Sequence, residues 1–196
     1  MTEMFDAKQY FDNEMNEHQA VAKHVFDSLG EDFLRMLACW KETVTNGGKI
    51  MMCGNGGSAS DAQHLATELI VRYTKDRAPI AALALSTDTS ALTAVGNDLG
   101  FDRLFARQIA ALGKPGDMVV AISTSGQSPN IIAALEEARR MGLTAAGFGG
   151  RSGGNMVGLA DPLIIAPSDT TARIQEMHIL IGHMLCGALE LELGLV

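Results

Sequence analysis

The chain has no long hydrophobic run. No apolar stretch approaches the ~18 residues that cross a bilayer, so no membrane partner is expected. Its first residues, MTEMFDAKQYFDNEMNEHQ, are polar and acidic, without the basic start and apolar stretch of a secretory leader, which points to the cytoplasm. Cysteine is scarce. Cys39, Cys53 and Cys186 are odd in number and show no paired spacing, which argues against a disulfide frame and a CxxC metal site and suits a reducing compartment. Basic charge is short as well. Fifteen Lys and Arg against 23 Asp and Glu give a net charge of −8, and no basic cluster exceeds the pair Arg139-Arg140. Nucleic-acid binders carry a basic patch, so DNA and RNA are not expected partners. There is no GxxxxGK[ST] run, which excludes a nucleoside-triphosphate P-loop. If so acidic a chain holds an anion, backbone amides and hydroxyls must supply most of the local attraction.

What is present reads as one compact unit. The 196 residues, 47% apolar, suffice for one sizeable core and about one domain. Two amphipathic helical segments lead, residues 7–28 and 31–45, separated at Gly30 and closed by Asn46-Gly47-Gly48. Short apolar runs at 50–53, 80–85, 118–122, 144–148 and 163–165 then alternate with helical stretches at 60–73, 90–95, 103–112 and 129–140, before a long last helix at 171–193. Strands alternating with helices imply a mainly parallel sheet covered on both faces, with right-handed crossovers. Ligands of such sheets bind beyond the carboxyl ends of the strands. Residues 1–46 are read as a helical segment of the same domain, and 47–196 as the part carrying the chemistry.

Two loops fall at those strand ends. Gly54-Asn55-Gly56-Gly57-Ser58 follows one strand and opens a helix, so its backbone can turn sharply and offer free amides to an anion. Gly54, Gly56 and Ala59 also match GxGxxA, but no acid stands about 20 residues on at the next strand end, as a dinucleotide site requires. The second loop, Ser123-Thr124-Ser125-Gly126-Gln127-Ser128-Pro129, follows the strand MVVAIS. Ser128 then Pro129 is a helix start, with a capping hydroxyl and a first-turn proline. Four hydroxyls at one helix mouth exceed what capping needs and can donate to phosphate oxygens without a fixed cation.

His64 and Glu68 are four residues apart on the helix leaving the first loop and share a face. Taken alone, such a pair is an ordinary surface hydrogen bond. The last helix adds Gln175 and His183, two turns apart and within about 80° of each other, beside an apolar face. His178 falls on the other flank, and His18 and His24 have no assigned role. If His64, Glu68, Gln175 and His183 converge, two imidazoles and a carboxylate suit zinc or a similar divalent ion. Without metal, a carboxylate and a histidine suit proton movement between adjacent carbons. Arg72, four residues after Glu68, is a candidate partner for it or for a phosphate, and Cys53 reads as a packing residue at the end of a buried strand.

Together, GNGGSASDAQHLATEL, AVGND, ISTSGQSPN and ARIQEMHILIGH resemble the sugar isomerase (SIS) domain family and, within it, the phosphoheptose isomerases. The resemblance covers nearly the whole chain. It implies a three-layer α/β sandwich of the flavodoxin-like SIS type, with a five-stranded parallel sheet plus N-terminal helices, and a homotetramer with sites at subunit contacts. It implies interconversion of sedoheptulose 7-phosphate and D-glycero-D-manno-heptose 7-phosphate through an enediol, for the heptose of lipopolysaccharide. By the same resemblance Asn55, Gly56, Gly57, Asn97 and Asp98 bind substrate, and Ser123, Thr124, Ser125 and Ser128 hold its phosphate. Glu68 is the general base, His183 its acid–base partner, and Gln175 orients the substrate. His64, Glu68, Gln175 and His183 match the positions that bind one zinc per subunit. The chain departs from some members at Ala172, where they carry an acid. Relatives that only bind a sugar phosphate or a protein, such as a replication initiator, are the alternative, and they require erosion of a catalytic set that is intact here.

Overall fold

The structure, a computed structural model, describes residues 5–196. Helices α1 (Ala7–Ser28) and α2 (Gly30–Thr45) lead into strand β1 (Ile50–Gly54) and α3 (Gly57–Ile70). Strand β2 (Ala82–Ala84), α4 (Thr89–Asp98), α5 (Leu104–Leu112), β3 (Met118–Ile122), α6 (Pro129–Arg140), β4 (Thr144–Gly150), β5 (Leu163–Ala166) and α7 (Thr171–Glu192) follow. All strand pairings are parallel, in the order β2-β1-β3-β4-β5. The expected five-stranded parallel sheet between helical layers is present.

Alternation along the strands assigns the layers. Ile50, Met52, Met118, Val120, Ile122 and Phe148 face a core built with α1, α2, α3 and α7, including Val21, Val25 and the fully buried Trp40. Met51, Cys53, Val119 and Ala121 face the opposite core, built with α4, α5 and α6. Successive side chains of a strand point to opposite faces, so a sheet buried on both sides needs apolar residues at every position. That is why the runs IMMCG and MVVAI show no polar alternation.

Some boundaries differ from the expected ones. The break between α1 and α2 is at Leu29 (φ −104°, ψ 10°), and Gly30 is the first residue of α2. The run at 80–85 yields only the three-residue β2, because it lies at the sheet edge and pairs with β1 alone. The helix expected over 60–73 starts and ends three residues earlier, which leaves Tyr73 outside it.

The order 2-1-3-4-5 reverses direction between β1 and β3. In open parallel sheets this switch point opens a crevice at the strand ends. The loops after β1 and β3 are the two singled out above.

Candidate active site

The two loops are joined by a reciprocal amide pair. Asn55 Nδ2 donates to Asn130 Oδ1 at 2.9 Å, and Asn130 Nδ2 donates to Asn55 Oδ1 at 2.8 Å. Asn130 is buried at the start of α6. Below this pair is a small cavity of about 60 Å³ lined by Asn55, Ser58, Ile122, Ser123, Thr124 and Ser128. No side chain caps α3 at Gly56. Ser128 is the N-cap residue of α6, yet its hydroxyl makes no capping bond, contrary to expectation. The first-turn amides of Ser58, Ala59 and Ile131 already donate to the carbonyls of Asn55, Gly56 and Ser128. This leaves those of Gly57 and Asn130, with the unengaged Ser128 hydroxyl, able to cradle an anion at the positive ends of two helix dipoles. Ser123 Oγ instead accepts from the Gly126 amide (3.1 Å) and Ser125 Oγ from the Gln127 amide (3.2 Å), which fixes the loop's shape. Ser58 and Asn130 were not among the expected residues. Ser58 lies within the first loop's motif, whereas Asn130 had no signal beyond its place after Pro129.

Gly56 turns the first loop with φ 55°, and Gly57 lets α7 approach. Any side chain at 57 would overlap the Gln175 amide, so Gln175 is packed against the loop mouth. Helices α3 and α7 run side by side in the same direction, with Leu65 resting on Gly182 further along. Seven residues into α3, about 10 Å of helix rise beyond the loop, a second group assembles. His64 Nε2 lies 2.8 Å from His183 Nε2 and 3.5 Å from Glu68 Oε1. Tyr73 stacks on the His183 ring, with centroids 5.6 Å apart and planes at 29°.

Two imidazole Nε2 atoms this close either share one proton or face a common cation. One ligand atom from each of His64, Glu68 and His183 lies within 4.8 Å of the others. Zinc held at 2.0–2.1 Å by tetrahedral N and O ligands requires such a cluster, and two histidines with a glutamate are a donor set that zinc enzymes use. The residues therefore fit the ion. Gln175 stands eight residues before His183, about 12 Å of rise, with its amide at Gly57 rather than in the cluster.

The remaining expectations divide. Asn97 and Asp98 lie exposed at the end of α4, hydrogen-bonded to each other at 2.7 Å and to neither loop. Arg72 makes no ion pair with Glu68 among the described residues. The helix ends before it, so the i,i+4 register does not reach it. The arginine that does reach this region is Arg77, which sequence spacing did not flag. Burial pushes the Cys53 thiol up to about 12, which suits a packing residue and no nucleophile. Asp61, one turn before His64, was also not anticipated. It is half-buried, burial raises its carboxyl against the opposing pull of His64, and its Oδ2 has no hydrogen-bond partner.

His178 is fully buried and donates from Nε2 to the Gly149 carbonyl at 2.8 Å. Burial pulls its imidazole down to about 4, against the opposing effect of that hydrogen bond. In the unfolded chain a histidine titrates near 6.5. Its contribution to stability is therefore full above pH 6.5 and is lost as pH falls toward 4. That loss is expected to reach about 2–3 kcal/mol. His178→Gln keeps a donor and removes the titration, so urea unfolding at pH 7 and 4.5 should show a smaller acid loss in the variant. Equal acid losses in both proteins would exclude His178 as the source.

The sequence profile of the SIS domain matches residues 10–150. A phosphoheptose isomerase of Paramagnetospirillum magneticum is 55% identical over 181 residues, 92% of this chain and 94% of that protein. One from Helicobacter pylori strain P12 is 50% identical over 173 residues, 88% and 90% of the two chains. The chain belongs to the phosphoheptose isomerase family of SIS-domain proteins. Among solved structures, the phosphoheptose isomerase of Neisseria gonorrhoeae is 39% identical with a TM-score of 0.87, over 94% of this chain and 99% of that one. That of Francisella tularensis is 34% identical with a TM-score of 0.91, over 94% and 98%. The family's SIS fold is thus present from α1 to α7, and the cradle and the His64–Glu68–His183 cluster sit in it together.

Proposed function

We propose that the chain is an aldose–ketose isomerase that interconverts sedoheptulose 7-phosphate and D-glycero-D-manno-heptose 7-phosphate, in supply of lipopolysaccharide heptose. The observation that carries this reading is the two-part site. An anion cradle at the β1/β3 switch point stands roughly 10 Å, along α3, from His64, the nearest member of a cluster of one carboxylate and two imidazoles. A long sugar with a terminal phosphate spans such a gap, its ester in the cradle and its carbonyl end at the cluster.

Asn55, Gly56, Gly57, Ser123, Thr124, Ser125 and Ser128 hold and orient the phosphate end, and Gln175 guides the chain past Gly57. Glu68 removes the proton from C1 beside the C2 ketone. The electron pair forms the C1=C2 enediol as O2 takes a proton from His183. The imidazole then recovers the O1 proton as the aldehyde forms, and Glu68 delivers its proton to C2. Each positioned acid or base is worth about 10²–10⁴-fold. His64, Glu68 and His183 would hold one zinc, without Gln175, whose amide lies at Gly57, and the ion would supply Lewis-acid polarisation of the carbonyl. A cation weakens the basicity of a carboxylate it binds and occupies the imidazole nitrogen it binds, so Glu68 and His183 act as base and acid when free of the ion.

The protein works in the cytoplasm as a homotetramer, the leading helices forming one unit with the rest. Supporting this assembly, Phe26 is 86% exposed beside a nearly apolar groove formed by Val25, Leu29, Phe33, Ile164, Ile181 and Met184. Asn97 and Asp98, exposed at the end of α4, bind sugar hydroxyls. Incubation with pentulose, hexulose and heptulose phosphates, with and without zinc, and detection of aldose products test the reading. Turnover should be greatest with the heptulose phosphate. No aldose from any of them would overturn it.

A further inference from the structure

The loop after α3 returns one arginine into the protein. The Arg77 side chain is 1% exposed, and its Nε donates to Glu190 Oε1, itself 1% exposed, at 2.8 Å. Its two terminal nitrogens donate to the Glu68 carbonyl (2.8 Å) and the Leu69 carbonyl (2.7 Å). These carbonyls lie in the last turn of α3, where no intrahelical donor remains, and a cation there also complements the helix dipole. Glu190 Oε1 in addition accepts from the Tyr73 amide at 2.9 Å. Tyr73 is the residue whose ring covers His183. Glu190 lies seven residues after His183 on α7, within about 20° of the same face.

We propose that the buried Arg77–Glu190 pair is a positioning device for the acid–base pair. One end grips the backbone of Glu68, and the other holds the backbone of Tyr73, whose ring orients His183. The inference rests on the isomerase reading above. A buried ion pair is a poor source of net stability, because two charges must be desolvated and an apolar pair of similar volume often serves as well. Glu190 Oε2 has no partner, which adds to that cost. What the pair supplies, and an apolar pair does not, is four directed hydrogen bonds that fix the end of α3 and residue 73 against α7. The anion cradle lies at the other end of α3 and depends on none of them.

Removing one partner strands a buried charge and endangers the fold, so the test replaces both. In Arg77→Met/Glu190→Leu the thermal midpoint should stay within a few degrees of native and the KM for sedoheptulose 7-phosphate within about two-fold. Its kcat should fall about 10–100-fold, the range typical when partners that orient site residues are lost. Glu190→Gln keeps an oxygen acceptor for Tyr73 and Arg77 but leaves the guanidinium without a counter-charge, so its thermal midpoint should fall while the folded protein, assayed well below that midpoint, retains most of the kcat. A double variant with native kcat would overturn the proposal, as would losses of kcat, KM and thermal midpoint in step, which mark a role in folding alone. A native protein inactive on the heptulose phosphate defeats the isomerase reading itself, an outcome separate from either.

Discussion

Glu68→Gln is expected to lower turnover of sedoheptulose 7-phosphate by about 10²–10⁴-fold while leaving KM within a few-fold of native. The substitution keeps the shape of the side chain, and glutamine and glutamate have similar helix propensity, so α3 is unaffected. What it removes is a base at the one place where a carboxylate stands within 3.5 Å of an imidazole in the α3–α7 groove. The phosphate cradle lies about three helical turns earlier and keeps its amides and hydroxyls. Because Glu68 is also a candidate zinc ligand, the variant's metal content is measured alongside steady-state rates. A variant that carries native zinc and is still inactive assigns the loss to proton transfer. Turnover within two-fold of native would remove Glu68 from the base role.

Ser128→Asp is expected to cost at least about 10² in kcat/KM for the phosphorylated sugar without lowering the thermal midpoint. Asp is as good an N-cap as Ser, and a carboxylate at a helix start is favourable, so α6 keeps or gains stability. The same carboxylate faces the cavity that Ser128 shares with Asn55, Ser123 and Thr124. Two like charges brought together there cost several kcal/mol, and each 1.4 kcal/mol is tenfold in affinity. Ser128→Ala, which loses one hydrogen bond of about 1 kcal/mol, should lose only about five-fold. Comparing both variants on the phosphorylated and the unphosphorylated heptulose isolates the ester, since the unphosphorylated sugar should be indifferent to the charge. An unchanged KM for the phosphate ester in the aspartate variant would remove the serine loop from phosphate binding.

How much of this was legible in the sequence differs by element. The all-parallel sheet could be read because burial on two faces forces uninterrupted apolar runs such as IMMCG and MVVAI, and because helical stretches separate them. The edge strand β2 was overestimated because the apolar run around it exceeds what its one neighbour can pair. The glycine and serine loops were legible because their composition is tied to local backbone needs. The His64–Glu68 pair followed from helical periodicity, since residues four apart share a face wherever the helix sits.

Joining His183 to that pair, 115 residues further on than Glu68, is not a local matter. Periodicity placed it on the margin of an apolar stripe, and only the packing of α7 alongside α3, with Leu65 on Gly182, sets its Nε2 at 2.8 Å from His64. The amide pair between Asn55 and Asn130 and the buried Arg77–Glu190 pair left no sequence signal for the same reason. Each links residues more than 70 positions apart, and an asparagine or an arginine outside any motif looks like surface. The amino-acid sequence by itself determined the layers of the fold, the loops that can cradle an anion and the kinds of side chain available for proton transfer. These depend on neighbours along the chain, on periods of two and 3.6 residues and on turn chemistry. The tertiary structure alone decided which of those side chains meet, because α3 and α7 come from distant parts of the chain and touch only when the shared core draws them together.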